Sequence, residues 1–131
     1  EKISVSHLWN IKLINDDATK ILEFFDQKEI QKIYLNFSDP WPKNRHEKRR
    51  LTYKKFLEKY EIILNGDLEM KTDNQALFEY SLISFNQEHW KFLDLSLDLH
   101  NRSVDEMIIL TEYEERFIKK GNRIYFLKAK K

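Results

Sequence analysis

Ile33-Tyr34-Leu35-Asn36-Phe37 is a compact apolar run, and it stops at Ser38-Asp39-Pro40-Trp41-Pro42-Lys43. A run of that length closed by turn formers reads as a buried strand. Pro40 and Pro42 hold the residues beside them out of helix. Asp39 therefore stands at the carboxyl end of a strand, where open α/β sheets bind their ligands. Trp41 offers a flat indole next to that carboxylate. Such a pair suits a flipped or single-stranded base, although a lone Trp in a Pro-rich turn more often packs into a core.

Working outward, Ile11 to Asn15 alternates as a strand, and Thr19 to Phe25 reads as a short helix with Ile21, Leu22 and Phe25 on one face. After the prolines, a helical period returns from about Arg49 to Leu64, with Leu51, Phe56, Tyr60 and Ile63 inward, and Asn65-Gly66 ends it. Leu68 to Thr72 is a further strand. Asn74 is placed to cap a helix running to about Asn86, with Leu77, Tyr80, Ser81 and Phe85 along one side. Trp90 to Leu99 alternates as a half-buried strand. Thr111 to Lys120 reads as a helix with Thr111 as cap and Glu114 in the capping-box position, ended by Gly121. Arg123 to Ala129 is a last strand, expected antiparallel to Trp90–Leu99. Strands alternating with helices predict an α/β sheet, parallel at first, with an antiparallel edge.

Asp17, Asp39 and Asp73 all follow strands. Three acids in successive strand-end positions point to a site, whereas helix capping and turn formation are the bland account. The net charge is +1, but Lys43 to Lys59 carries eight basic side chains against Glu47 and Glu58, a local +6. A basic patch on a neutral chain is the footprint of a nucleic-acid binder; a solvated helix face is the competing reading.

The 131 residues suffice for one domain, spanning 1–131, and the 41% hydrophobic and 34% charged content fits a globular one. Cysteine is absent, which excludes disulfides and thiolate metal sites, and no other pattern points to a metal. No apolar run approaches the roughly 20 residues of a membrane helix, and the first residues do not form a signal peptide, so a cytoplasmic location without membrane attachment is the expectation. Only Gly66 and Gly121 occur, and neither makes a cofactor-cradling loop.

Asn36 to Lys43, then Arg45-His46-Glu47-Lys48-Arg49-Arg50 with Leu51-Thr52-Tyr53, closely resembles the signature of bacterial tRNA (guanine-N7-)-methyltransferases. Lys71-Thr72-Asp73-Asn74, Leu77-Phe78-Glu79-Tyr80-Ser81, Asp98-Leu99-His100 and Thr111-Glu112-Tyr113-Glu114-Glu115 resemble it in order and spacing. The resemblance implies a Rossmann-like class I fold using S-adenosyl-L-methionine to methylate N7 of guanine 46 in the tRNA variable loop. It implies Asp39 as catalytic residue and Asp17 and Asp39 as cofactor contacts. It implies Lys43, Asp73, Thr111, Glu112, Tyr113 and Glu114 as substrate contacts, and Arg45, His46, Glu47, Lys48, Arg49 and Arg50 as the RNA-contacting segment. Asn44, the short Leu64–Gly66 loop and the stretch Arg102–Ile109 depart from the family pattern. The family's sheet order is 3-2-1-4-5-7-6, and Ile11–Asn15 and Ile33–Phe37 look like its third and fourth strands. The first two strands and the glycine loop are not found, so the chain reads as a C-terminal portion, inactive alone, of a monomer or homodimer. The competing readings are a non-catalytic tRNA- or RNA-binding module on the same fold and a generic α/β interaction domain.

Overall fold

A computed structural model describes residues 2–5, 12–101 and 123–131. Strands β1 (Lys2–Val5) and β2 (Lys12–Asn15) form an antiparallel ribbon. Strands β3 (Ile30–Asn36), β4 (Leu64–Thr72), β5 (Lys91–Ser96) and β6 (Tyr125–Lys130) form a second sheet, in the order β3-β4-β6-β5. Pair β3–β4 is parallel, and β4–β6 and β5–β6 are antiparallel. This is the 4-5-7-6 half of the expected order, with the antiparallel edge where the sequence puts it. With the first two strands of that order not found, Ile11–Asn15 is not expected to reach Ile33–Phe37 in one continuous sheet, and β2 pairs with β1, in a sheet of its own.

The helices α1 (Lys54–Ile63) and α2 (Gln75–Gln87) supply the rest of the core. From α1 come Phe56, Leu57, Tyr60 and Ile63, at helical spacing; from α2 come Leu77, Phe78 and Phe85. All of these but Ile63 cluster with Leu35 of β3, Leu68 and Met70 of β4, and Leu127 and Ala129 of β6. Fully burying such a side chain contributes roughly 1.5–3 kcal/mol. A smaller cluster of Leu99, Ile124 and Phe126, with Phe37 against it, is built on the alternate residues of β6.

Several boundaries differ from the sequence reading. Residues 18–23 form a 3₁₀ turn (Ala18–Glu23), not an α-helix, and α1 begins only at Lys54 because Asn44–Arg49 is a separate 3₁₀ turn. Strand β4 starts at Leu64, four residues early: Leu64 is buried, pairs with Ile30 and leaves no loop after α1. Leu93, Leu95 and Leu97 are 44–57% exposed. They lie on or just beyond edge strand β5, whose register against β6 shifts between Phe92 and Asp94. The predicted helix Thr111–Lys120 lies outside the described residues.

Gly66 ends no helix; it lies within β4 where the backbone of β3 approaches. A Cβ there would sit 1.9 Å from the Gln31 carbonyl oxygen. Gly66→Ala must therefore push β3 from β4. We expect it to lower stability by about 2 kcal/mol in chemical denaturation. A midpoint equal to that of the parent would show that the strands can separate there at no cost.

Candidate functional site

Parallel pairing of β3 with β4 places their carboxyl ends side by side, with Asn36 opposite Lys71. The pairing runs one residue further, since the Phe37 amide donates to the Lys71 carbonyl at 2.8 Å. Phe37 (φ 54°) and Trp41 (φ 43°) then take left-handed backbone conformations. Side chains of this bulk rarely adopt them, at a cost of order 1–3 kcal/mol each, and such strain persists only where neighbours hold it. Here Phe37 packs on Leu99, Ile124 and Phe126, and the Trp41 carbonyl accepts from Arg50 Nε at 3.0 Å. The loop between them carries Asp39, and Lys43 follows it; both are exposed.

The three strand-end aspartates are not equivalent. Asp17 is a cap: its carboxylate accepts the Thr19 amide at 2.9 Å, and that hydrogen bond is the main reason its pKa is lowered. It also follows β2, in a different sheet from the one carrying Asp39 and Asp73. Asp73 is spared that duty, because Asn74 caps α2 by accepting the Leu77 amide at 2.8 Å and is itself tied to Thr72 Oγ1 at 3.1 Å. The exposed carboxylates of Asp39 and Asp73 thus close two adjacent parallel strands. Thr111, Glu112, Tyr113 and Glu114 lie outside the described residues.

The basic segment sorts in the same way. Arg45 and Lys48, on the Asn44–Arg49 turn, are exposed. His46 meets the Trp41 ring edge-on at 5.5 Å, and the Arg49 guanidinium lies 4.9 Å from the same ring. Trp41 is therefore neither a core residue nor a bare shelf. Arg50 is a brace as much as a surface cation: beside its bond to Trp41, its guanidinium sits 4.5 Å over the Tyr80 ring. Glu47 accepts the Tyr80 hydroxyl at 2.8 Å. Burial first, and then that bond to Glu47, hold the Tyr80 phenol well above its usual pKa, so it stays a donor.

Beneath the segment is a buried hydroxyl chain. Ser81 Oγ donates to the Leu77 carbonyl at 2.7 Å, which leaves Thr52 Oγ1 as the donor in its 2.7 Å bond to Ser81. Ser84 Oγ donates to the Thr52 carbonyl at 2.5 Å, and Tyr60 donates to the Leu51 carbonyl at 2.8 Å. Sequence reasoning did not assign Thr52, Ser84 or Tyr80 to this support. The available signal was a pair of serines on the inward side of an otherwise apolar helix. Among the described residues no group of three or more His, Cys, Asp or Glu is disposed to hold a metal, and no helix is long and apolar enough to cross a membrane.

Residues 1–127 match the family model described as "Putative methyltransferase". The chain is 56% identical over 132 residues to the tRNA (guanine-N(7)-)-methyltransferase of Bacillus cytotoxicus, covering 99% of this chain and 60% of the relative. It is 54% identical to that of a Geobacillus species (99% and 60%) and 53% identical to that of Halalkalibacterium halodurans (98% and 59%). The chain thus spans about three fifths of the length of these curated relatives. A crystal structure of a SAM dependent methyltransferase from Archaeoglobus fulgidus, 12% identical, aligns with 90% of this chain and 66% of that one at a TM-score of 0.47.

Two outcomes test this geometry. Thr52→Val should cost about 1 kcal/mol in unfolding free energy and speed tryptic cleavage in the 45–50 segment; unchanged cleavage would mean the hydroxyl chain does not hold the segment. Because the Asp17 pKa is lowered on folding, its cap is intact above the usual 3.8 and is lost as pH falls through the lower folded value. The Thr19 amide resonance should report a midpoint below 3.8, and its acid response should vanish in Asp17→Asn. A midpoint at or above 3.8 would break the assignment.

Proposed function

The chain belongs to this methyltransferase family, and from that premise we propose that it forms the substrate-facing part of a cytoplasmic tRNA (guanine-N7-)-methyltransferase. The observation that carries the reading is one juxtaposition. Exposed carboxylates, Asp39 and Asp73, end two adjacent parallel strands, and a basic segment braced on Trp41 begins four residues beyond Asp39. The activity for which the relatives are named supplies the substrate: guanine N7 of tRNA.

The reaction asks little proton chemistry of the protein. Guanine N7 carries a lone pair and no proton, so no strong general base is needed. When bound, S-adenosyl-L-methionine supplies an electrophilic methyl on a sulfonium. The donor set at the sheet edge fits such a group, since a carboxylate suits both a sulfonium charge and ribose hydroxyls. Asp39 is the residue placed to do this; Asp17 is the weaker candidate, because its carboxylate is engaged by Thr19. The purine ring becomes cationic as the methyl arrives. Asp39 stabilises that developing charge, and Asp73 accepts from the N1–H and N2 edge of the base, fixing the line of attack. Lys43, Arg45 and Lys48 grip phosphates, which gives affinity without reading sequence. Thr111–Glu114 complete the substrate set in this reading.

Full-length protein incubated with labelled S-adenosyl-L-methionine and unmodified tRNA should place N7-methylguanine in the variable loop, at position 46. Asp39→Ala should lower kcat about 100-fold or more. Retained turnover removes Asp39 from the chemistry. Arg45→Ala and Lys48→Ala should each weaken tRNA binding and reduce the slope of log Kd against log salt by about one. Arg50→Ala should in addition loosen the Trp41 loop, and so lower kcat as well as affinity.

A further inference from the structure

A cavity of about 270 Å³ lies between the basic segment and α2, lined by Glu47, Tyr53, Lys54, Tyr80, Ile83 and Gln87. Asp39 and Asp73 are not among its lining residues, so it is not the place where the methyl is transferred. Its composition is unlike that of a phosphate grip. Glu47 is an acid within a +6 segment, where it opposes phosphate binding. One of its oxygens takes the Tyr80 hydroxyl, which fixes the carboxylate at the cavity wall. Ile83 is 58% exposed, an apolar surface left open to water. Two phenol rings stand beside it, and the Arg50 guanidinium lies over one of them. Lys54 supplies a cation and Gln87 an amide that can both donate and accept.

A largely polar wall that carries two phenol rings, one exposed isoleucine and one fixed carboxylate matches an unpaired base that shows N–H donors. Guanine shows two, N1–H and the N2 amine, on the edge a carboxylate can take. We propose that this cavity binds a second, unpaired guanosine of the tRNA. Its base lies against Tyr53, Tyr80 and Ile83, its Watson–Crick edge meets Glu47 and Gln87, and its phosphate lies towards Lys54. The proposal rests on the tRNA reading above and adds to it a site that reads a base away from the reacting one. Arg50 links the two places, bonded to Trp41 on the catalytic loop and stacked on Tyr80 in the cavity.

The sign of one substitution separates this from simple electrostatics. Glu47→Gln removes a negative charge from a phosphate-gripping segment, so charge alone predicts tighter tRNA binding. The guanosine site predicts the reverse, a Kd raised about tenfold, the scale of losing one stacked and hydrogen-bonded base. Ile83→Ala, at an exposed position, should weaken binding in the same direction without altering the salt slope, and it serves if Glu47→Gln disturbs the fold. Measured by fluorescence anisotropy with full-length protein, one inosine-for-guanosine replacement at an unpaired position should weaken binding to the parent but not to Glu47→Gln. Equal or tighter binding by Glu47→Gln together with parent-like binding by Ile83→Ala overturns the proposal, as does the absence of any such inosine position. A parent protein that does not bind tRNA even at low salt strikes the tRNA reading itself, a result distinct from these.

Discussion

The parallel contact between β3 and β4 is the constraint on which the rest depends. It sets Ile33 beside Leu68 and Leu35 beside Met70, which gives α1 and α2 a surface to cover. It also fixes where the two strands end, and so brings the Asp39 loop next to Asp73. The approach is close enough at Gly66 to exclude a side chain. Next to it, Lys32 of β3 pairs with Asp67 and Glu69 of β4, and the Glu69 contact is the main reason the lysine's pKa is raised.

What was legible in the sequence follows from how local each signal is. The β3 run, the Asn74 cap and the antiparallel final strands depend on short-range pattern and turn chemistry, and they stand as read. The start of β4 was not legible, because Leu64-Asn65-Gly66 looks like a helix stop when only its own neighbours are considered. Its true role is set by Gln31, over thirty residues away. For Trp90–Leu99 the alternation was legible and the covered face was not: period two marks a strand, but which face is covered depends on the partner and on a register shift. For Asp17, Asp39 and Asp73 the strand-end position was legible and the capping duty was not. That duty turns on single hydrogen bonds, from the Thr19 amide to Asp17 and from the Leu77 amide to Asn74.

The basic segment shows how composition overstates a surface. Eight cations in seventeen residues suggest one uniform grip. In three dimensions Arg49 and Arg50 are spent on aromatic rings, His46 on the edge of Trp41, and Glu47 on Tyr80. These contacts hold a left-handed Trp41 and fasten the turn to α2. On the turn itself, Arg45 and Lys48 remain as exposed cations.

On the proposed function, that division links binding to chemistry through one element. Helix α2 begins one residue after the cap Asn74, beside Asp73, and its inward serines hold Thr52 at the end of the basic segment. Tyr80, between those serines and the surface, bonds Glu47 and carries Arg50, and Arg50 holds the loop that presents Asp39. On the proposed function, a rigid helix with one end beside Asp73 and one face under the basic segment sets a fixed distance between the reacting base and the RNA backbone. Selection of one guanine among many then need not come from contacts to that base alone. It can come from the requirement that the backbone, a second nucleotide and the target satisfy one rigid frame at once, since misplacement by about an ångström is enough to lose in-line attack.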